Sequence, residues 1–297
     1  MDMTEAQRFC GRTFNAEELR LIAEVVGDCG GISRLELAHT VCELLDWRRP
    51  GGGLKARECR DLLELLESRG ILKLPGKKSI GAIAPRRIRE PAANGENPHV
   101  SLVGEISMFA PVLLEVVENS QQRELFKQLL GRYHYLGYAM PYGARLQYLA
   151  YVERPRREVV GCIQYSSPAW RMKARDRWIG WDDATRGLRL QQVVNNSRFL
   201  VLADILNLAS AILARSLKRL SRDWRNRYGV EPLLVETLVD AKRFHGGCYR
   251  AANFQALGQT AGRGRMDREC RCHGESVKTV MVYPLVKNAA SRLSQGR

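Results

Sequence analysis

No apolar run in this chain approaches the roughly 18 to 20 residues needed to span a bilayer. Met1 to Thr13 carries charges and no signal-peptide core, so a cytoplasmic protein without a membrane partner is expected. Cysteine is not absent, but the eight residues are scattered rather than spaced as a disulfide framework, which suits a reducing compartment. Cys270-x-Cys272-His273 is half a zinc site with no matching partner pair in sequence. No internal repeat is present. Acidic side chains are scarce beside basic ones, 32 against 47, for a net charge of +15.

That surplus is uneven. Residues 1–98 hold 16 basic and 15 acidic side chains, and residues 99–297 hold 31 and 17. A polyanion-attracting field therefore belongs mainly to the C-terminal part. Lys and Arg neutralise phosphates and release counterions, so DNA is the expected partner, with single or double strands undecided.

Three domains of behaviour are expected. Residues 1–75 carry three helical patterns and a closing strand. The first begins after Asn15, the second is capped by Ser33 with Glu36 three residues on, and the third runs from Leu54 to Arg69 before Ile71, Leu72 and Leu74. This pattern predicts a winged helix-turn-helix, with Lys55, Arg57 and Arg60 entering a DNA groove; a docking module is the alternative. Residues 76–98, basic and rich in Pro and Gly, predict a linker. Residues 99–297 alternate helix and strand as an α/β (α+β) domain with an acetyltransferase-like mixed sheet: a hairpin at 146–166, a strand at 193–202, a helix at 208–228, a strand at 233–239, a helix at 249–257 and a strand at 277–283. The glycine-rich loop that would present backbone N–H groups to coenzyme A pyrophosphate is missing, with Asp204, Ile205, Leu206 and Asn207 in its place. Ordinary acetyl-coenzyme A chemistry is not expected.

The end of strand 233–239 delivers Asp240 and then His245 to the place where open α/β sheets bind ligands. His134, Tyr135 and neighbouring phenols crowd the end of a helix at 121–130 and offer a group titrating near neutral pH, donors and stacking faces. Period two puts Asn196 and Arg198 on one face of their strand, where Arg198 would clamp a phosphate or carboxylate or else pair with Glu236. Glu236 and Asp240 share a strand face and would bind Mg²⁺ if Asp176, Asp182 or Asp183 completed the set, which keeps a metal-dependent nuclease or transposase reading open. Trp170, Trp178 and Trp181 interleave with Arg171, Arg175 and Arg177, the ingredients of a base-stacking platform or simply of a covered sheet edge. Arg263, Arg265 and Arg268 make a basic loop suited to phosphate.

The runs RYHYLGY, NNSRFLVL, HGGCYRAANFQALGQTAGRGR and VYPL, with the N-terminal WRRPGGGLKARECRDLLELLESRGILKLP, resemble the Druantia anti-phage system protein A family over nearly the whole chain. The resemblance implies bacterial defence, a transposon neighbourhood and a helicase partner. The order HYLG, a strand with a Gly turn, N-x-R-F, a strand ending in Asp and Gly-x-x-Tyr-x-x-x-Asn is also similar to the phage Mu Mom type of DNA-modification protein. That likeness implies a base-modifying transferase with Asp240, His134, Tyr135, Arg198 and Tyr249 at the reacting centre. It further implies a divalent iron held by His134, Asp240 and His245. A noncatalytic DNA-binding adaptor remains the alternative, and homo-oligomerisation stays open.

Overall fold

The computed structural model describes residues 6–28, 33–49, 54–76, 100–138, 141, 143–260 and 277–295. They fall into two compact units, one drawn from 1–88 with 140–144 and the other from 89–139 with 145–297. All but the first residue of the expected linker at 76–98, and the Arg263, Arg265 and Arg268 loop, lie outside the described residues.

In the first unit, strands β1 (Gln7–Phe9) and β2 (Arg12–Phe14) form an antiparallel hairpin ahead of helices α1 (Ala16–Asp28), α2 (Arg34–Leu44) and α3 (Ala56–Ser68). Asn15 and Glu18 form a reciprocal cap on α1, Glu18 N–H donating to Asn15 Oδ1 at 2.8 Å and Asn15 N–H to Glu18 Oε2 at 3.0 Å. Phe14, Ile22, Leu37, Leu62, Leu63 and Leu66 are among its most buried side chains. The strand expected at Ile71–Leu74 does not form. Ile71 N–H closes back on Leu66 O and Leu74 N–H on Glu67 Oε1, so this segment finishes α3.

The second unit contains β3 (Val100–Glu105), α4 (Ile106–Phe109), β4 (Val112–Val116), α5 (Ser120–Tyr133), β5 (Arg145–Val152), β6 (Glu158–Ser166), α6 (Lys173–Ile179), α7 (Asp183–Arg189), β7 (Val193–Val201), β8 (Ala203–Leu206), α8 (Leu208–Tyr228), β9 (Leu234–Asp240), α9 (Gly247–Ala251), β10 (Gln255–Gln259), β11 (Lys278–Pro284) and α10 (Ala289–Ser294). The main sheet runs β10-β11-β9-β7-β6-β5-β4. Only β7 and β9 run parallel within it, and α8 supplies the crossover that parallel neighbours require. This is the mixed α/β sheet expected. The helix predicted at 249–257 is shorter, because Gln255–Gln259 leaves it to pair with β11 as an edge strand.

Helices cover both faces. Tyr165 shares its hydroxyl with Ser216 of α8 at 2.7 Å, while Leu149, Cys162 and Leu200 pack with Phe126 and Leu130 of α5. A bulge then alters the alternation on β7: Gln164 pairs with Arg198 but Tyr165 pairs with Asn196. Asn196 therefore joins Phe199 on the Tyr165 side, and Arg198 turns to the α5 side. The expected shared face of Asn196 and Arg198 is corrected by this one extra residue.

At the base of the sheet, Arg175 of α6 is completely buried. Its guanidinium donates to Glu236 Oε2 at 3.0 Å, to Asp176 Oδ1 at 2.8 and 2.9 Å, and to the carbonyls of Ala169 and Trp170 at 2.9 and 3.3 Å. Trp181 adds an indole N–H to Asp176 Oδ1 at 3.0 Å. Burial pushes the Glu236 carboxyl above its ordinary range, and Arg175 beside it opposes that push.

Removing one member of such a cluster strands the other in the core. Arg175→Met is expected to cost about 3–5 kcal/mol in urea unfolding, and Arg175→Met/Glu236→Met to recover most of that loss. Gly161 is a second tight point, since a Cβ there would stand 2.7 Å from Leu200 O and 3.1 Å from Ile212 Cδ1. Gly161→Ala should destabilise by about 1–3 kcal/mol in the same assay.

Candidate functional site

The parallel pairing of β7 and β9 covers only Val193–Asn196 against Leu234–Thr237. Beyond it, β7 continues against β6 alone and β9 against β11 alone, so the two strands part at their carboxyl ends. That opening is where an α/β sheet offers a ligand crevice.

Asp240 ends β9 at the opening and is only 5 % exposed. Its Oδ1 accepts from Lys242 N–H at 3.1 Å, and Arg243 Nε lies 3.9 Å from Oδ2. Tyr135 stacks on His134 at 4.9 Å, tilts against Phe244 at 5.3 Å and lies under the Arg243 guanidinium at 5.2 Å. Burial first, and then the Asp240 charge, raises the Tyr135 phenol, which keeps it a donor. Arg198 enters from the α5 side, its Nε donating to Gly137 O at 3.2 Å and its Nη1 to Ser197 O at 2.7 Å. Phe244 is 49 % exposed at the rim, and Lys242, Arg243 and His245 are exposed beside it.

His134 departs from the expectation of a group titrating near neutrality. Desolvation, reinforced by the Arg198 charge, lowers its pKa to about 3. Its Nδ1 accepts from Leu136 N–H at 3.1 Å, which assigns the neutral ring's proton to Nε2. Tyr249 lies on the other side of the sheet, its hydroxyl donating to Asn196 Oδ1 at 2.6 Å, and burial raises its phenol. It supports β7 there rather than joining Asp240.

The expected metal sets do not assemble. Among the described residues no three His, Cys, Asp or Glu side chains form a metal-holding group, so His134, Asp240 and His245 do not fit iron. Glu236 is held by Arg175, Asp182 caps α7 by accepting from Thr185 N–H at 2.7 Å, and Asp183 pairs with Arg171 and Arg186, so none of the expected carboxylates joins Asp240 among the described residues. Ahead of α8, β8 pairs in parallel with β3, Asp204 is exposed and Asn207 adopts φ 64°.

The remaining nucleic-acid candidates separate by exposure. Arg175 is removed from any binding surface by its burial, and Arg171 is engaged by Asp183. Trp170 is 47 % exposed with Arg186 5.1 Å over its ring. Arg177 and Lys173 are exposed and, with half-buried Trp178, line a cavity of about 410 Å³ against Leu257–Gln259 of β10. In the first unit Arg57 and Arg60 are exposed on α3 and Lys55 is half-buried. Sequence reasoning missed Phe244 and Arg243, although their place three and four residues past a strand-end carboxylate was a readable signal.

No curated protein sequence matches the chain. Solved structures resembling it include the aminoglycoside acetyltransferase AAC(6')-Ib in complex with coenzyme A, 15% identical over 61% of this chain and 98% of that one with a TM-score of 0.38. Spermidine/spermine N-acetyltransferase SpeG from Vibrio cholerae is 9% identical over 62% and 98%, with a TM-score of 0.36. An N-acetyltransferase from Staphylococcus aureus Mu50 is 11% identical over 60% and 100%, with a TM-score of 0.35. The model of one protein family, described as Druantia protein DruA, matches residues 67–271. With more than half of its length matched, the chain belongs to the Druantia protein DruA family.

Proposed function

We propose that this chain acts on DNA in anti-phage defence and receives a nucleobase where β7 and β9 part. The observation that carries the reading is the meeting of Asp240, Tyr135, His134 and Arg198 on one side of that opening, with Arg243 and Phe244 at its rim. A base presents amide-like donors and acceptors on its edge and two π faces. Asp240 supplies the acceptor for an exocyclic amine, the neutral His134 Nε2–H and the Tyr135 hydroxyl supply donors, and Phe244 supplies a stacking face. Membership of the Druantia family supports the defence setting, and the basic surplus of residues 99–297 supports the nucleic-acid partner. Exposed Arg57, Arg60, Trp170 and Arg177 are the accessory contacts of this reading.

Base modification, with Asp240 as the group that withdraws a proton, is the enzymatic form of the proposal. The other form is an adaptor that binds DNA and recruits a helicase, favoured by the β3·β8 pair and Asp204 standing where a diphosphate cosubstrate would dock.

Mass spectrometry of nucleosides from plasmid and phage DNA, with strand breaks scored on the same samples, separates the two. A new mass or break in cells with the intact chain, lost with Asp240→Asn, is expected of the enzyme; unchanged DNA with DNA binding retained in both leaves the adaptor. The buried imidazole gives a second prediction. His134 is neutral when folded down to about pH 3, whereas the unfolded chain takes up its proton below about 6.5, so stability falls with pH between those values. The contribution is about 1.4 kcal/mol per pH unit, and urea unfolding of His134→Gln should lack it.

A further inference from the structure

Helix α8 carries Arg215, Lys218, Arg219, Arg222, Arg225 and Arg227 with a single acid, Asp223. Arg215, Lys218, Arg222 and Arg225 recur at spacings of three and four, which places them on one face. That face is opposite the buried side chains Ile212, Leu213, Ser216, Leu217, Leu220 and Trp224. Arg215 and Lys218 are exposed and have no partner among the described residues. The Arg222 and Arg225 side chains are 70% and 56% exposed, each touching one acid, Asp223 at 3.2 Å and Glu231 at 2.5 Å.

At the N-terminal end of this row the helix borders edge strand β4, and a cleft of about 410 Å³ lies between them. Arg215, Lys218 and Arg219 line it. Arg219 is already committed to Leu114 O at 2.7 Å and to Asp223, and the one acid in the lining, Glu115, is held by Arg157 at 2.5 Å. The cleft therefore presents the charges of Arg215 and Lys218 with little internal compensation.

We propose that the solvent face of α8 is a track for the phosphate backbone of duplex DNA, with the α8/β4 cleft seating one phosphate between Arg215 and Lys218. The inference rests on the nucleic-acid reading above and names a surface for it. From Arg215 to Arg225 the helix rises about 15 Å. A DNA strand advances about 3.4 Å per phosphate along its axis, so the row runs beside roughly four phosphates. The row also lacks the means to read bases or dock a peptide: Trp224 is buried, and Tyr228 has its hydroxyl on Arg145 O. Straight, single-sign charge without a ring or apolar anchor suits backbone contact, which positions a duplex without specifying its sequence.

Anisotropy titrations of the full chain with a short labelled duplex, over about 50 to 200 mM salt, test the track. Arg215→Gln/Lys218→Gln should weaken binding alike for unrelated sequences and make the slope of log affinity against log salt shallower by about 1.8. Lys287→Gln/Arg292→Gln removes the same charge from exposed positions at the α10 end and should leave the slope near wild type. Wild-type chain that binds no DNA at any salt would overturn the nucleic-acid reading itself. Wild-type binding with a slope unchanged in Arg215→Gln/Lys218→Gln, or changed equally in the control, would overturn the track alone. If that variant instead loses binding to polyglutamate and keeps its DNA slope, the face docks acidic protein and the track is wrong.

Discussion

A guanidinium with no exposure to water stands at the foot of the sheet, and much of the second unit is organised by the need to satisfy it. Arg175 cannot lose its proton, and moving its charge out of water costs several kcal/mol unless every donor finds a partner. It finds Glu236 on β9, Asp176 on its own helix and the carbonyls of Ala169 and Trp170 in the chain just before. Those partners come from the segment between β6 and β7 and from a strand beyond α8. One side chain thus fixes where the α6 segment meets β9.

The same bond sets the two carboxylates of β9 apart. Glu236 and Asp240 project from one side of β9, four residues apart, and either could face a ligand. Arg175 and burial take Glu236 into the core, and Asp240 at the strand's end remains beside Tyr135 and the rim residues. The bulge on β7 makes the matching choice on the other lip of the opening. By turning Arg198 to the α5 side and Asn196 to the Tyr249 side, it gives the Asp240 side its cation and leaves the opposite side a neutral hydrogen-bonded prop.

Elements with strong local signals were legible in the sequence. Helix α8 follows from its 21-residue amphipathic pattern and β9 from a β-branched run ending in Asp240. The strand-end placement of Asp240 was legible for the same reason. What could not be read depends on pairing over distance. The β10 sequence QALGQ has no apolar alternation and is a strand only because β11 lies beside it. Ile71–Leu74 is apolar enough for a strand but pairs with none among the described residues, and α3's own carbonyls and Glu67 take its N–H groups. Burial of Arg175 was hidden because interleaved Trp and Arg describe an exposed stacking platform and a buried cation–indole cluster equally well. Only the facing Glu236 distinguishes them.

In the proposed reading, charge state separates two kinds of recognition in the second unit. At the strand opening, desolvation keeps His134 and Tyr135 neutral, and Arg198 has its Nε and Nη1 on backbone carbonyls. The result is a set of donors around one carboxylate, which complements a polar neutral edge better than a phosphate. On α8 the reverse holds, with charge but no ring and little hydrogen-bond geometry, which complements phosphate and nothing more specific. Affinity drawn from a helix face and selectivity drawn from a strand cleft can vary independently. On the proposed reading, such a chain would hold DNA of any sequence and reserve discrimination for the nucleotide that reaches Asp240.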